Sequence, residues 1–255
     1  KTDNFGGFDE SYKTYPKLLI RLFEARRKKS FVYRGISKKE QLKPQINRVY
    51  VSREKAEDFK SSEYQLLYDF YHLGRPYIKN LFANPLELVS TAQHYGVPTR
   101  LVDWTRDPFV ALYFALHGEP ESEGDKYEII YADLDEHIRL DVPVYADNMV
   151  TQPEDIAMGF SAFIECIQSP NKLQKAVMER LNYLTRLRID SDVVYRPYHL
   201  IFYEAPLTSD RILAQKGLFS VPISIDGESA RTEIEKNSKS ISLEFQDEER
   251  KDLIS

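Results

Sequence analysis

The chain has 255 residues, 42% apolar and 29% charged, with a net charge of −5 at pH 7. That length and balance fit one large domain, or one domain with a small appendage, and exclude disordered, collagen-like and coiled-coil chains. The acidic total argues against a protein that tracks nucleic acid by bulk electrostatics, which takes a basic surface, but leaves room for a local basic groove. A lone Cys166 makes no intramolecular disulfide, and with five scattered histidines it shows no zinc-ligand spacing. A reducing cytoplasm and no metal are therefore expected. No apolar stretch approaches the roughly 20 residues that cross a bilayer, and the first residues show no signal-peptide pattern, so no membrane partner is expected.

Tyr15 to Lys28 carries Leu18, Leu19, Leu22 and Phe23 at helical spacing and closes on basic residues, which predicts an entry helix. "FVYRGI", Phe31 to Ile36, predicts a short strand. Ser61 to Phe82 predicts a helix broken near Gly74 and Pro76, and Leu86 to His94 another. "TRLVDWT", Thr99 to Thr105, has strand character. Asp107 followed by Pro108 is a helix start, and Pro108 to Leu116 is apolar nearly all round, so that helix should be buried. Tyr127 to Leu134 predicts a strand. Leu140 to Asn171 is ambiguous apart from a short helix around Phe160 to Gln168, and Lys172 to Arg188 predicts a helix. "YHLIFYEA" and "RILAQKGLFSVPI" predict strands, and the residues beyond Asp226 are charged. With no internal repeat and no low-complexity linker, one α+β domain over residues 1–225 followed by a charged tail over 226–255 is the simplest division.

The chemistry concentrates where apolar segments carry polar groups. In "FVYRGI" alternation puts Arg34 on the face of Val32 and Ile36, where a guanidinium needs a carboxylate or a phosphate partner. Gly35 allows an unusual backbone or a close approach. In "TRLVDWT" Arg100, Val102 and Trp104 share one face, and Leu101, Asp103 and Thr105 the other. Two readings stay open. Arg34 with Asp103, or Arg100 with Asp107, form buried structural pairs; or these groups line a cleft at the strand-to-helix junction, where the amides of Asp107 to Val110 would receive an anion. His94 is a helix cap or a general base. Glu63 suits a first helical turn. Tyr33 and Trp104 are core aromatics or stacking surfaces, and Arg211 and Gln215 share a strand face with Leu213 between them. A Gly-rich phosphate loop, a nucleophile elbow and a metal-ligand cluster are all missing from the sequence, so hydrolysis by a metal or a serine triad is not expected.

These residues resemble the FRG domain family, named for a Phe/Tyr-Arg-Gly motif that reads Tyr33-Arg34-Gly35 here. A second signature is similar to "AQHYGVPTRLVDWTRDPFVALYFA", with Gln93, His94, Gly96, Pro98, Thr99, Arg100, Asp103, Trp104 and Thr105. A third is similar to "DRILAQKGLFSV", Asp210 to Val221, and Glu63 suits the family's helical glutamate. The motif order further resembles that of ADP-ribosyltransferases, which place an arginine or histidine on a first strand, a Ser-Thr-Ser or tyrosine motif before a small-residue helix, and a glutamate near a late strand. Arg34, then Trp104-Thr105, then Asp210 to Gln215 take those places in order. The late segment departs from the pattern, offering Asp210 and Gln215, with Glu204 upstream, in place of a glutamate.

The resemblance implies a single domain with a mixed, largely antiparallel split sheet flanked by helices, arranged as in ADP-ribosyltransferases. It implies NAD as substrate and a macromolecular target, protein or nucleic acid, as in a toxin or a phage-defence effector. Tyr33, Arg34, Gly35, Arg100, Asp103, Trp104, Thr105 and Arg211 would bind the nucleotide; Gln215, Asp210, Glu204 or His94 would serve the chemistry. The alternative is a non-catalytic module that binds a nucleotide or a protein.

Overall fold

Alternation along Phe31–Ile36 sends Tyr33 to one side of a strand and Val32 and Ile36 to the other, and all three are buried. A strand buried on both faces needs cover on both, and the chain supplies it. The computed structural model describes residues 11–12, 15–49, 56–74, 76–77, 85–118, 127–140, 200–204, 216–222 and 226–243. In chain order the elements are β1 (Ser11–Tyr12), α1 (Tyr15–Arg26), β2 (Phe31–Ile36), a 3-10 turn (Lys39–Leu42), α2 (Gln45–Val49), α3 (Ala56–Gly74) and α4 (Pro85–His94). There follow β3 (Val102–Thr105), α5 (Pro108–His117), β4 (Tyr127–Asp133), a second 3-10 turn (Leu134–Glu136), β5 (Ile138–Leu140), β6 (Ile201–Tyr203), β7 (Gly217–Ser220), α6 (Gly227–Lys236) and β8 (Lys239–Leu243).

The strands lie in the order β1-β8-β4-β2-β3-β7-β6-β5. Inner neighbours are antiparallel, while the outer pairs β1/β8 and β5/β6 are parallel. The chain is thus α+β with a mixed, largely antiparallel sheet. β2 pairs with β4 along its whole length, from Phe31↔Asp133 to Ile36↔Glu128, and β3 pairs with β7 from Val102↔Ser220 to Thr105↔Gly217. Between β2 and β3 one residue pair is made, Tyr33↔Thr105. The sheet is therefore two four-stranded halves pinned together at a seam.

On one face Leu18 and Leu22 of α1 and Ala111 and Ala115 of α5 pack on Tyr33, Ile129, Tyr131 and Ile241. On the other, Leu42, Leu200 and Ile234 pack on Val32, Ile36, Val102, Trp104 and Ile130. Gly35 sets how closely α5 can lie. A Cβ there would collide with the carbonyl oxygen of Ala111 and stand 2.6 Å from Ala115 N, so the helix backbone rests directly on the strand. Asp107 caps α5, accepting from Phe109 N at 3.1 Å with Pro108 in the first turn, as the sequence predicts.

Two expectations need correcting, and others lie outside the described residues. α3 begins at Ala56, ahead of the expected Ser61. Residues 226–243, read as a charged tail, are integral to the sheet: Asp226 caps α6, Ala230 and Ile234 bury one turn apart, and β8 pairs with β4. A helix whose buried stripe is two residues wide carries little hydrophobic signal among charges. The predicted helices around Phe160 to Gln168 and Lys172 to Arg188 fall outside the described residues, as does the start of the predicted Arg211 strand, of which Gly217–Ser220 is described.

Candidate functional site

Beyond the Tyr33↔Thr105 pair the two strands part, and a cleft of about 230 Å³ opens between Arg34-Gly35 on β2 and Asp103-Trp104 on β3. Gln41 and Arg48 line it from one side of the sheet, and Val110, Ala111 and Phe114 of α5 from the other. Arg34 forms the wall between the halves. Its Nη1 donates to the backbone oxygen of Asp103 at 2.5 Å and its Nη2 to that of Gln41 at 2.8 Å. Nη1 also stands 3.9 Å from Asp103 Oδ2, whose side chain is 66% exposed. The expected Arg34–Asp103 pair is thus a loose one facing an open cleft.

Burial lowers the pKa of Arg34, Arg48 pushes it the same way, and Asp103 opposes both. Arg48 is likewise lowered, by burial first, with Asp103 and Glu40 opposing. A guanidinium does not give up its proton in a protein. These shifts therefore express the cost of holding two partly desolvated cations beside one carboxylate, a cost that an anionic ligand would offset. Among the described residues Arg34 Nε has no hydrogen-bond partner.

Asp103 is held from behind. Gln93 Nε2 donates to Asp103 Oδ1 at 2.8 Å, and the Thr99 hydroxyl donates to Gln93 Oε1, which fixes the amide with its donor toward the carboxylate. Thr99 Oγ1 also accepts from Leu101 N at 3.1 Å. The run from Gln93 to Asp103 thereby positions one carboxylate on the cleft.

Of the other expected residues, Tyr33, Trp104 and Thr105 also line the cleft, while Arg100, His94 and Glu204 do not. Arg100 does not pair with Asp107: its Nε donates to Glu63 Oε1 and Oε2 at 2.8 and 3.0 Å and its Nη2 also donates to Glu63, with both side chains buried. It does not line the cleft. Asp107 instead meets Arg26 at 3.1 Å and Lys216 at 3.2 Å, so the α5 N-terminus expected to receive an anion is filled by the protein's own carboxylate. The Trp104 ring lies in the core, edge-on to Phe202 at 5.5 Å, with Nε1 donating to Ser220 Oγ at 2.9 Å. Thr105 lines the cleft while its Oγ1 accepts from Asp107 N at 3.0 Å. Tyr33 is buried with its hydroxyl donating to Ala25 O at 3.0 Å, and burial raises its pKa strongly.

His94 ends α4 with its ring edge-on to Tyr95, off the cleft. Glu204 is tied to Arg106 at 2.8 and 3.0 Å. Asp210, Arg211 and Gln215 lie outside the described residues. Sequence reasoning missed Gln41, Arg48, Phe114 and the role of Gln93. Phe114 was hidden in an apolar helix, yet it is 42% exposed at the cleft.

A two-faced α+β domain whose split sheet opens a cleft between a Tyr-Arg-Gly strand and an Asp-Trp-Thr strand defines the class of this protein. Residues 29–124, which hold both strands and α5, match the family model of the FRG domain, and the chain carries an FRG domain over that stretch. No curated protein and no solved structure matches the chain. Among the described residues no helix is long and apolar enough to cross a membrane, and no group of His, Cys, Asp and Glu could hold a metal ion.

Proposed function

We propose that the seam cleft binds a nucleotide and that the protein acts as an ADP-ribosyltransferase-like enzyme, taking NAD as substrate and modifying a macromolecule. The observation that supports this best is the grouping of Arg34, Arg48 and Asp103 at the point where the sheet splits. Cleaving the bond between nicotinamide and ribose develops positive charge on the ribose carbon while the pyrophosphate stays anionic. Such a reaction wants cations at one end and a carboxylate at the other. Arg34 and Arg48 would hold the pyrophosphate, Asp103 would face the ribose, and the exposed Phe114 ring would stack on a base. At about 230 Å³ the cleft is smaller than the roughly 300–1,000 Å³ of sites that enclose a drug-sized ligand. A dinucleotide would seat one end and lay the rest along the open rim.

In the balanced step the glycosidic bond breaks with its electron pair leaving on nicotinamide, a nucleophile of the target bonds the ribose carbon, and the target's proton passes to a base or to water. Asp103 is the carboxylate that lines the cleft among the described residues. The pairing of Glu204 with Arg106, away from the cleft lining, favours a second reading, a module that binds the nucleotide without cleaving it.

Free nicotinamide and thermal stability, followed together in the presence of NAD, decide between them. Stabilisation with nicotinamide release supports the enzyme; stabilisation alone supports the binding module; neither overturns both. Arg34→Ala would remove the donor to two backbone carbonyls that join the strands and the 3-10 turn, so Arg48→Ala and Phe114→Ala, at exposed side chains, are the better variants. Each should weaken NAD binding about tenfold, on the order of one lost charge-assisted bond or ring stack.

A further inference from the structure

Arg48 reaches the cleft from α2, a single helical turn over Gln45–Val49. A helix that short has no stability of its own in water, so tertiary contacts decide where it lies. Among the described residues no ion pair fixes the Arg48 guanidinium itself, and its place therefore follows that of α2. One set of contacts comes from beneath: Ile46 is fully buried, and its N donates to Thr99 O at 3.1 Å. A second set comes from α6, far beyond residues 29–124 that match the FRG model.

Two independent contacts join α6 to this wall of the cleft. Gly227, the first residue of α6, lies so close to α2 that a Cβ on it would stand 2.9 Å from Asn47 Cβ and 3.3 Å from Asn47 Cγ. Asn47 is the residue before Arg48. Lys43, two residues ahead of α2, forms ion pairs with Glu228 of α6 and, at 2.7 Å, with Glu40 of the first 3-10 turn. Arg231, further along α6, repeats the link at 2.8 Å from Glu228 and 3.6 Å from Glu40. An isolated exposed pair contributes little, but these four charges form a network in which the Lys43 side chain is only 13% exposed. The same 3-10 turn is tied to the sheet by Lys39, 2.9 Å from Glu128 of β4, so it is braced from the sheet and from α6 together.

We propose that α6 is a positioning element of the cleft: Gly227 and the Glu228–Lys43 pair hold α2 so that Arg48 stands at the ligand site. Ala230 and Ile234 bury α6, and β8 follows it into the sheet, so crowding between the two helices should move the single turn rather than α6. The consequence for affinity rests on the nucleotide reading above; the placement of α2 does not.

Amide hydrogen exchange of the full chain without NAD reads the placement, and calorimetric titration with NAD reads its consequence. Gly227→Ala sets a methyl against Asn47 while raising the helix propensity of α6, so the chain should stay folded. Lys43→Met removes both ion pairs and keeps an apolar stem. In each variant exchange at residues 45–49 should quicken at least about fivefold, with the amides of β2 and β4 unchanged. NAD affinity should fall at least about threefold, as the share of molecules with Arg48 in place drops. On an Arg48→Ala background the same Gly227→Ala change should alter affinity less than about twofold, because nothing is left to position. A merely structural role would lower affinity alike on both backgrounds. Lys43→Arg, which keeps the charge, should recover most of the affinity lost in Lys43→Met. Lys236→Gln, at an exposed charge on the last residue of α6, should match the parent in both measurements. The proposal is overturned if exchange at 45–49 equals that of the parent in both variants, if neither variant lowers the affinity of a parent that binds NAD, or if Gly227→Ala acts equally with and without Arg48. A parent that binds no NAD would overturn the nucleotide reading, and the exchange measurement would then decide this proposal by itself.

Discussion

Tyr33 faces Thr105 across the one residue pair that joins the two halves of the sheet, and both side chains are spent on keeping the junction closed. The Tyr33 hydroxyl ties β2 to the last turn of α1 through Ala25 O, while Thr105 Oγ1 accepts from Asp107 N and turns β3 into α5. The seam is therefore held from below, and what lies beyond it can part. Arg34 and Asp103, one step further along each strand for the first and two for the second, occupy the gap.

Gly35 tests how much of this geometry depends on contact between α5 and β2. In Gly35→Ala the new methyl would meet the Ala111 carbonyl and lie 2.6 Å from Ala115 N, both backbone atoms of a buried helix that cannot rotate aside. Overpacking of this kind costs about 1–3 kcal/mol or more, and the expected result is a variant at or beyond the upper end, with α5 displaced. Gly96 is the comparator: it has φ of 87° and open space around it, so Gly96→Ala carries only the left-handed backbone penalty of about 1–2 kcal/mol. Denaturant unfolding of both should rank Gly35→Ala as the more damaging; the reverse order would mean that α5 is free to move off the strand.

Glu63 and Arg100 pair within the packed interior, away from the cleft, so their contribution should be to stability rather than to ligand. Glu63→Gln leaves a buried guanidinium without its counter-charge, which costs about 3–5 kcal/mol. Replacing both, as Glu63→Leu with Arg100→Met, removes the unpaired charge and should recover most of that loss. A double-mutant cycle by urea denaturation measures the coupling, and single variants that lose less than about 1 kcal/mol would show the pair to be dispensable.

The contrast between these residues shows what local sequence could and could not carry. β2 was legible as the short run Phe31–Ile36 because alternation and β-branched residues agree, with Gly35 inside the strand rather than at its end, and Asp107-Pro108 announced α5 through its own cap. The faces of β2 and β3 were legible for the same reason: Val32, Ile36, Val102 and Trp104 meet in one core. The partner of Arg100 was not, since Glu63 lies 37 residues away on a helix whose position no period encodes. Arg48 and Phe114 reach the cleft through tertiary packing alone. The charged α6 and β8 were read as a tail because two buried positions in ten, Ala230 and Ile234, do not stand out against charges.

Gln93 should act on the cleft only through Asp103. Gln93→Leu removes the donor to Asp103 Oδ1 and leaves the Thr99 hydroxyl to find another acceptor, while Arg34 still holds the Asp103 backbone oxygen. Strand β3 should stay in place and the carboxylate alone should become free to rotate. The expected outcome is a stability loss of about 1 kcal/mol, one hydrogen bond, with nucleotide affinity reduced several-fold and recovered in part by Gln93→Asn. Calorimetric titration beside a thermal melt checks this, and unchanged affinity would show that the Asp103 carboxylate plays no part in binding.

Asp226 gives the fold a dependence on acid that is local to α6. Hydrogen bonds from the Ser229 side chain and backbone hold its pKa below the ordinary 3.8, helped by Glu228 N and by Lys43, against the opposing effect of partial burial. Its carboxylate accepts from Ser229 N at 2.7 Å and Glu228 N at 3.4 Å, closing the first turn of the helix that delivers Ile234 to the core. A group whose folded pKa is depressed stabilises the fold above its unfolded pKa and loses that contribution as pH falls through the folded value. The cap should therefore act in full at neutral pH and fade below about pH 4. Asp226→Ala should cost about 1 kcal/mol at pH 7, the usual value of an N-cap, and the gap to the parent should narrow as both are unfolded at progressively lower pH. Asp226→Asn keeps an acceptor without the titrating group, so it should retain most of the neutral-pH stability and show a flatter acid limb. A gap that stays constant from pH 7 down to pH 3 would mean that the ionised carboxylate is not what caps the helix.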